Sequence, residues 1–353
     1  MSVKWCIFLV RSLKIKLVMN FGSLYRAYKK AKRGKSFKEK TLHFSFNLEK
    51  ELFHLEKQLN TKTYSLSPYK EFIVRGQKER TIKALSFRDG VVQHLICSVV
   101  EPYFEKRFID NTFACRKNKG TKAAVEVLSK DVYNNFQEEG YALKCDIKKF
   151  FHSVDHTTLK KMLQIRITDK NILHLLSLVF HSSHSQFGKG KGIPIGNLTS
   201  QLFANIYLHF LDLFIKQELQ IKYYYRYMDD FLILSKNKEE LHIIKEKIKE
   251  FLQTLHLDLH PKKQQIFPIS TGIDFVGYRI FRDYIRLRSS NIARQRVRLR
   301  YLRKCLKQKS ISLQMYDEFV AIQYVSWNGY RKDTKSHRIT QKLFPEFLKA
   351  YVK

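Results

Sequence analysis

Three aspartates stand where phosphoryl chemistry would want them. Asp146 nearly closes the run Tyr141-Ala142-Leu143-Lys144-Cys145-Asp146-Ile147, and Asp229 and Asp230 follow Tyr227-Met228 between two apolar stretches. Phosphodiester synthesis needs two divalent cations roughly 4 Å apart, one to activate a hydroxyl and one to gather a triphosphate, and hard carboxylate oxygens suit both. Burying such acids without a cation is costly. Asp is also a favoured turn residue, so Asp229-Asp230 taken alone equally fits an ordinary polar turn.

The surrounding pattern supplies the elements that would position these acids. Tyr141 to Ile147 reads as a strand, and His156 to Ile165 as a helix capped by Asp155. An apolar helix is expected over 202–219, then a hairpin from Tyr223 to Leu234 with Met228-Asp229-Asp230 at its turn. Glu240 to His256 follows as an amphipathic helix with Leu241, Ile244, Ile248, Phe251, Leu252 and Leu255 inward. Strands and helices in this order make an α+β fold. Upstream, residues 21–40 read as a basic helix ending in a loop at Gly34, and Leu48, Leu52, Leu55 and Leu59 mark a buried helical stripe behind Asn47, a candidate N-cap. Glu71 to Val74 and Arg80 to Leu85 form a hairpin with basic residues at its tip, and helices are expected over Gly90 to Phe104 and Thr121 to Phe136.

The charge points to the partner. Sixty-six Lys and Arg against thirty-two Asp and Glu leave +34, spread over the whole chain, which calls for a polyanion rather than for solubility alone. No apolar run is read as reaching the roughly 20 residues of a membrane span. Five separated cysteines, without a C-x-x-C pair, suit a reducing, cytoplasmic setting. Cys6 to Val10 is broken by Arg11, Lys14 and Lys16 and lacks a small-residue cleavage site, so a signal peptide is not expected; Met19 is an alternative start.

With these residues in order, the sequence resembles the reverse transcriptases of the group II intron and bacterial retroelement lineage over residues about 20 to 300. The carriers are Leu143 to Phe151, the segment Gly192 to Leu208 (GIPIGNLTSQLFANIYL), Tyr227-Met228-Asp229-Asp230, Leu259-His260-Pro261-Lys262-Lys263 and Asp274-Phe275-Val276-Gly277-Tyr278. The resemblance implies a right-hand polymerase with fingers, palm and a helical thumb. It implies that Asp146, Asp229 and Asp230 are catalytic, and that with the Ile147 carbonyl they hold two Mg2+ ions, for which Mn2+ can substitute. Phe151 would lie under the sugar and exclude a 2'-hydroxyl, although spacing alone reads it as core. Arg75 and Arg80 would meet the triphosphate, where guanidinium forks suit phosphate oxygens; Lys78 and Lys83 read as solvated. Arg116, Lys262, Lys263, Phe275, Gly277 and Tyr278 fall at template or primer positions, Arg116 in a basic segment that equally reads as solvated. Arg294 and Arg298 belong to a helix over 291–307 whose charges share one sign, as a thumb gripping a duplex would require.

Most relatives carry Gln where this chain has Ile195, and Ser-Pro where it has Ser200-Gln201. The string Ile195 to Gln201 resembles diversity-generating retroelement reverse transcriptases, which copy a template-repeat RNA with errors opposite adenine; the Gln-bearing motif of retrons is absent. An apolar Ile195 in the nucleotide site would penalise mispairs less than a hydrogen-bonding Gln, or simply pack well.

The expectation is thus an α+β polymerase divided as a basic N-terminal extension (1–45), fingers with part of the palm (46–140), palm (141–285) and thumb (286–353). Its partners would be template RNA, the cDNA/RNA duplex, deoxynucleoside triphosphates and a basic ring-forming accessory protein, with no membrane. Its setting would be the cytoplasm, bacterial or phage-encoded, with DNA cleavage supplied elsewhere. Alternatives are a group II intron-like enzyme without a mutagenic role, a catalytically silent RNA-binding module, and a defence polymerase making untemplated DNA.

Overall fold

The computed structural model describes residues 17–74, 79–137, 139–182, 190–332 and 334–345, and the side chains of Arg80 and Thr81 lie outside that description. The chain divides into two compact units, each discontinuous in sequence: Met1–Lys117 with Lys144–Phe231 and Ile243–Gln264, and Asn118–Leu143 with Leu232–His242 and Gln265–Lys353.

The first unit begins with α1 (Phe21–Lys32), started by a capping box in which Asn20 Oδ1 accepts from the Ser23 amide at 3.0 Å and Ser23 Oγ accepts from the Asn20 amide at 3.2 Å. Leu24, Ala27, Tyr28 and Ala31 form its buried face, so the helix Phe21–Lys32 within the expected extension packs into the core of its unit. Beyond Gly34 (φ +69°) come α2 (Glu39–Phe46) and α3 (Leu48–Asn60). Asn47 takes the N-cap position of α3 as expected and also closes α2, but its side chain makes no capping bond to α3; its amide donates instead to the His43 carbonyl at 3.4 Å. Strands β1 (Lys70–Val74) and β2 (Arg80–Ala84) pair antiparallel with Val74 opposite Arg80, the hairpin expected from the sequence; the tip bearing Arg75 and Lys78 lies outside the described residues. Ser86 caps α4 (Phe87–Glu105), earlier than expected, and the buried Asp89 carboxylate accepts from Tyr64 Oη at 2.8 Å, the Ser67 amide at 3.0 Å and Ser86 Oγ at 2.7 Å.

Downstream lie α5 (Thr121–Asn135), β3 (Tyr141–Ile147), α6 (Phe150–Ser153), α7 (His156–Gln164), α8 (Lys170–His181) and α9 (Leu198–Leu213), the last running into one π-helical turn at Phe214–Glu218. Asp155 caps α7 as expected, accepting from the Thr158 amide at 2.7 Å. Contrary to the reading of the apolar runs, Leu198–Glu218 is long and apolar enough to cross a membrane, an 18-residue window of it having a mean hydropathy of 1.2; 78% of that window is buried inside the protein, which accounts for its composition as a core helix.

A hairpin of β4 (Tyr224–Tyr227) and β5 (Asp230–Ser235), the helix α10 (Lys238–Thr254) and β6 (Leu259–Pro268) complete a four-stranded sheet in the order β4-β5-β3-β6. Of the inward positions foreseen on α10, Leu241, Ile244, Ile248, Leu252 and Leu255 are buried, while Phe251 stacks on Phe214 with ring centroids 4.1 Å apart. In the second unit, β7 (Ile273–Phe275), β8 (Tyr278–Ile280) and β9 (Ile285–Leu287) form an antiparallel meander. It is followed by α11 (Ser289–Lys307), α12 (Leu313–Arg331), which pack on each other, and α13 (His337–Leu343).

Candidate active site

Asp146 is the penultimate residue of β3, and the hairpin turn after β4 carries Asp229 with Asp230 opening β5. The backbone joins the two places directly, because the Ile147 amide donates to the Asp229 carbonyl at 3.1 Å. Both flanks hold a non-glycine residue in the left-handed region, Lys149 at φ +46° and Met228 at φ +58°, a conformation kept where its surroundings determine it.

The electrostatics follow from crowding acids in a partly dry place. Burial, with the Asp146 and Asp230 carboxylates adding like charge, pushes Asp229 up to about 6. Asp146, whose side chain is 16% exposed, accepts from the Lys263 ammonium at 2.5 Å. Among the described residues no group of three or more His, Cys, Asp or Glu side chains is disposed to hold a metal ion. The donor chemistry nevertheless suits a hard divalent cation: one carboxylate already takes a cationic partner, and the other is held acid-weak by burial, with two neighbouring acids adding to it.

Nearby backbone ties gather two further expected residues into the same unit. Phe150 is fully buried in the core, whereas Phe151 beside it is half-buried. The Ile193 amide donates to the Phe151 carbonyl at 2.8 Å, and the Gly192 amide to the Val154 carbonyl at 2.8 Å, fastening the Gly192-to-Gly196 segment along α6. Gly196, at φ +109°, lies against β2: a Cβ there would meet Ile82 Cγ2 at 3.3 Å. That turn sets the half-buried Ile195 beside the strand that begins at Arg80.

One element escaped the sequence reading. Arg226 is completely buried, with its guanidinium bound to the Asp212 carboxylate by Nε at 2.7 Å and by Nη2 at 2.6 Å. Nη1 donates to Asn205 Oδ1 at 3.2 Å and to the Met228 carbonyl at 3.0 Å, and Tyr224 Oη donates to Asp212 at 2.7 Å. A lone Asp inside an otherwise apolar helix, and a lone Arg in the strand Tyr224-Tyr225-Arg226-Tyr227, were the available signal.

Residues 73–280, more than half of the chain, match the family described as reverse transcriptase (RNA-dependent DNA polymerase). The chain belongs to that family. Protein YkfC of Escherichia coli (strain K12) is 24% identical to this reverse transcriptase over 243 residues, covering 58% of this chain and 64% of its own length. Group II intron-encoded protein LtrA of Lactococcus lactis subsp. cremoris is 23% identical over 303 residues, 66% of this chain and 50% of its own. An uncharacterized 91 kDa protein in the cob intron of Schizosaccharomyces pombe is 26% identical over 166 residues, 45% and 20% respectively. The chain therefore spans between a fifth and two thirds of these relatives.

Other residues expected to meet template or primer have different surroundings. Arg116 is a structural clamp: its side chain is 4% exposed, pairs with Glu105 at 2.8 Å and donates to the carbonyls of Ile109 at 2.6 Å and Thr112 at 2.9 Å. Such a guanidinium has little left to offer a phosphate. Lys83, read as solvated, is buried, with its ammonium 3.4 Å from Glu71. In the second unit Phe275 and Tyr278 are buried, Tyr278 Oη donating to the Tyr330 carbonyl at 2.9 Å. Gly277, at φ +94°, has its carbonyl held by Asn291 Nδ2 and Tyr330 Oη, each at 3.0 Å, and Tyr330 closes over the place where a Cβ would be. Lys262, Arg294 and Arg298 are exposed; Arg298 Nη1 donates to Gln323 across α11 and α12 at 3.0 Å.

Proposed function

We propose that this protein is an RNA-directed DNA polymerase of the group II intron-like retroelement lineage, with its chemistry at Asp146 and the Asp229-Asp230 turn. The observation that carries the reading is the junction of β3 with the turn through the Ile147–Asp229 hydrogen bond, which brings acids from two strands together inside a family of polymerases. Asp146, Asp229 and the Ile147 carbonyl would hold two Mg2+ ions, or Mn2+ in their place, with Asp230 completing the acidic set. When bound, such ions acidify a primer hydroxyl and neutralise the triphosphate.

The protein's own groups do the rest. Phe151 would present a half-buried ring where a ribose hydroxyl clashes, Ile195 would offer an apolar wall, and Arg75 and Arg80 would meet the triphosphate. On this reading the first unit supplies fingers and palm chemistry, and the basic helix α11, with Arg294 and Arg298, forms part of a thumb on the template and primer duplex. Template RNA and deoxynucleoside triphosphates are the substrates, and the +34 charge supports a polyanion as partner. A catalytically silent RNA-binding module would gain nothing from crowding acids that push Asp229 up to about 6.

A second reading has one observation in its favour. The string Ile195 to Gln201 resembles the diversity-generating form of this segment, which favours a mutagenic enzyme working with a basic ring-forming accessory protein. Primer extension on a defined RNA template, followed by sequencing of the product, tests both. RNA-templated, Mg2+-dependent synthesis supports the first reading, and errors concentrated opposite adenine add the second. Synthesis without template points to the untemplated-DNA alternative, and none at all overturns both readings.

A further inference from the structure

We infer that Arg226 is a positioning residue for the Asp229 turn, acting through its hydrogen bond to the Met228 carbonyl. Energetically the buried pair is an oddity. A fully buried Arg–Asp pair gains little over well-packed apolar residues, because desolvating both charges offsets their attraction. Arg226 and Asp212 are both fully buried, and Tyr224 Oη supplies a third hydrogen bond to the carboxylate. What an apolar pair could not do is donate to the turn.

The planar fork of Arg226 divides its donors between two tasks. Nε and Nη2 lock onto Asp212, which α9 holds rigidly within the core, so the guanidinium has one orientation. Nη1 is thereby aimed at two oxygens, Asn205 Oδ1 and the Met228 carbonyl, and Asn205 is itself fixed by donating to the Ala114 carbonyl at 3.0 Å. The strand around Arg226 is fastened too: its amide donates to the Asn111 carbonyl at 2.9 Å, and its carbonyl accepts from the Phe113 amide at 3.0 Å.

Met228 is the residue that needs holding. Its φ of +58° is unfavourable for a side chain of this kind, and it immediately precedes Asp229. Arg226 grips the carbonyl on one side of Asp229's amide, and the Ile147 amide grips Asp229's own carbonyl on the other. Between those two anchors the Asp229 carboxylate has a fixed starting point relative to Asp146. Without the first anchor the strained residue relaxes and the carboxylate moves.

The kinetic half of this inference rests on the polymerase reading, and the structural half does not. The test replaces the buried polar group with apolar residues of similar size, Asp212→Leu, Tyr224→Phe and Arg226→Met together, and compares it with Arg226→Lys. Five methionines make 13C-methyl labelling a clean reporter, with the Met228 signal assigned from Met228→Leu. In the triple variant the expected result is a thermal midpoint within a few degrees of the parent and a shifted or broadened Met228 signal, with Met162 and Met315 in place. For RNA-templated extension, kcat falls about a hundredfold with KM for the nucleotide little changed, as misplacement by about an ångström requires. Should the triple variant not fold, Arg226→Lys decides: an ammonium has three donors for the four bonds of the guanidinium and lacks its planar fork, so it cannot hold both Asp212 oxygens and still reach Asn205 and Met228; the same signal shifts and kcat falls about tenfold. A Met228 signal at its parental position, with kcat within about twofold, overturns the inference. If the parent itself lacks activity the polymerase reading fails, and the Met228 signal still decides the clamp.

Discussion

Replacing Asp229 by Asn will destroy the proposed chemistry and yet stabilise the metal-free protein at neutral pH. Burial and the neighbouring acids raise Asp229 from its ordinary 3.8 to about 6. Each tenfold change in proton affinity is worth about 1.4 kcal/mol, so carrying Asp229 ionised costs the folded protein about 3 kcal/mol. The sign follows from which state holds the proton. Between about 4 and about 6 the folded protein binds it and the unfolded chain has lost it, so stability falls as pH rises through that window; below it the penalty is absent. Asn is nearly isosteric, carries no charge and escapes the penalty. With an unfolding entropy near 2 cal/mol/K per residue, the chain's length converts about 3 kcal/mol into roughly 4 °C. The assay is thermal unfolding of both proteins in a chelator at pH 7.5 and at pH 4. The Asp229→Asn variant should unfold higher at pH 7.5 and level with the parent at pH 4; equal midpoints at pH 7.5, or a pH-independent difference, would refute the reasoning.

Three further outcomes are expected. Burial lowers the His209 imidazole to about 4, so the folded state refuses a proton that the unfolded chain accepts; stability is lost as pH falls from about 6.5 to about 4, by up to about 3 kcal/mol, and His209→Gln should remove that slope in denaturant titrations. Phe150→Ala empties a fully buried site and should cost about 3–5 kcal/mol, whereas Phe151→Ala should cost well under half of that while admitting ribonucleotides in a competition assay. Arg116→Ala removes the guanidinium from Glu105 and from the Ile109 and Thr112 carbonyls and should cost about 2–4 kcal/mol in urea titrations, with RNA affinity of the folded fraction unchanged; a selective loss of RNA binding would restore the phosphate-contact role.

Local regularity explains what was legible in the sequence. Leu52, Leu55 and Leu59 announced α3, the alternation around Tyr141 to Ile147 announced β3, and Asp155 announced the start of α7. The hairpin at Met228-Asp229-Asp230 was readable because two apolar runs flank a short polar turn. Helix α2 was not, since Phe46 is 94% exposed and no apolar stripe marks the helix. Charges misled most where their partners are remote: Arg116 and Lys83 read as surface cations until Glu105 and Glu71 are seen beside them. Arg226 and Asp212 lie fourteen residues apart in different elements, and only folding reveals that they share one buried network with the Met228 carbonyl. The same holds for Phe275 and Tyr278, whose motif is visible in sequence while their burial is not.

Single-nucleotide incorporation onto a primer annealed to RNA, measured for the parent, Asp146→Asn and Asp229→Asn across a Mg2+ titration, tests the central claim most directly. Chemistry at these acids predicts Mg2+-dependent, template-directed addition of deoxynucleotides by the parent and a loss of about a thousandfold or more in each variant, with both variants folded. Addition at the parental rate by either folded variant, or no addition by the parent at any Mg2+ concentration, would contradict it.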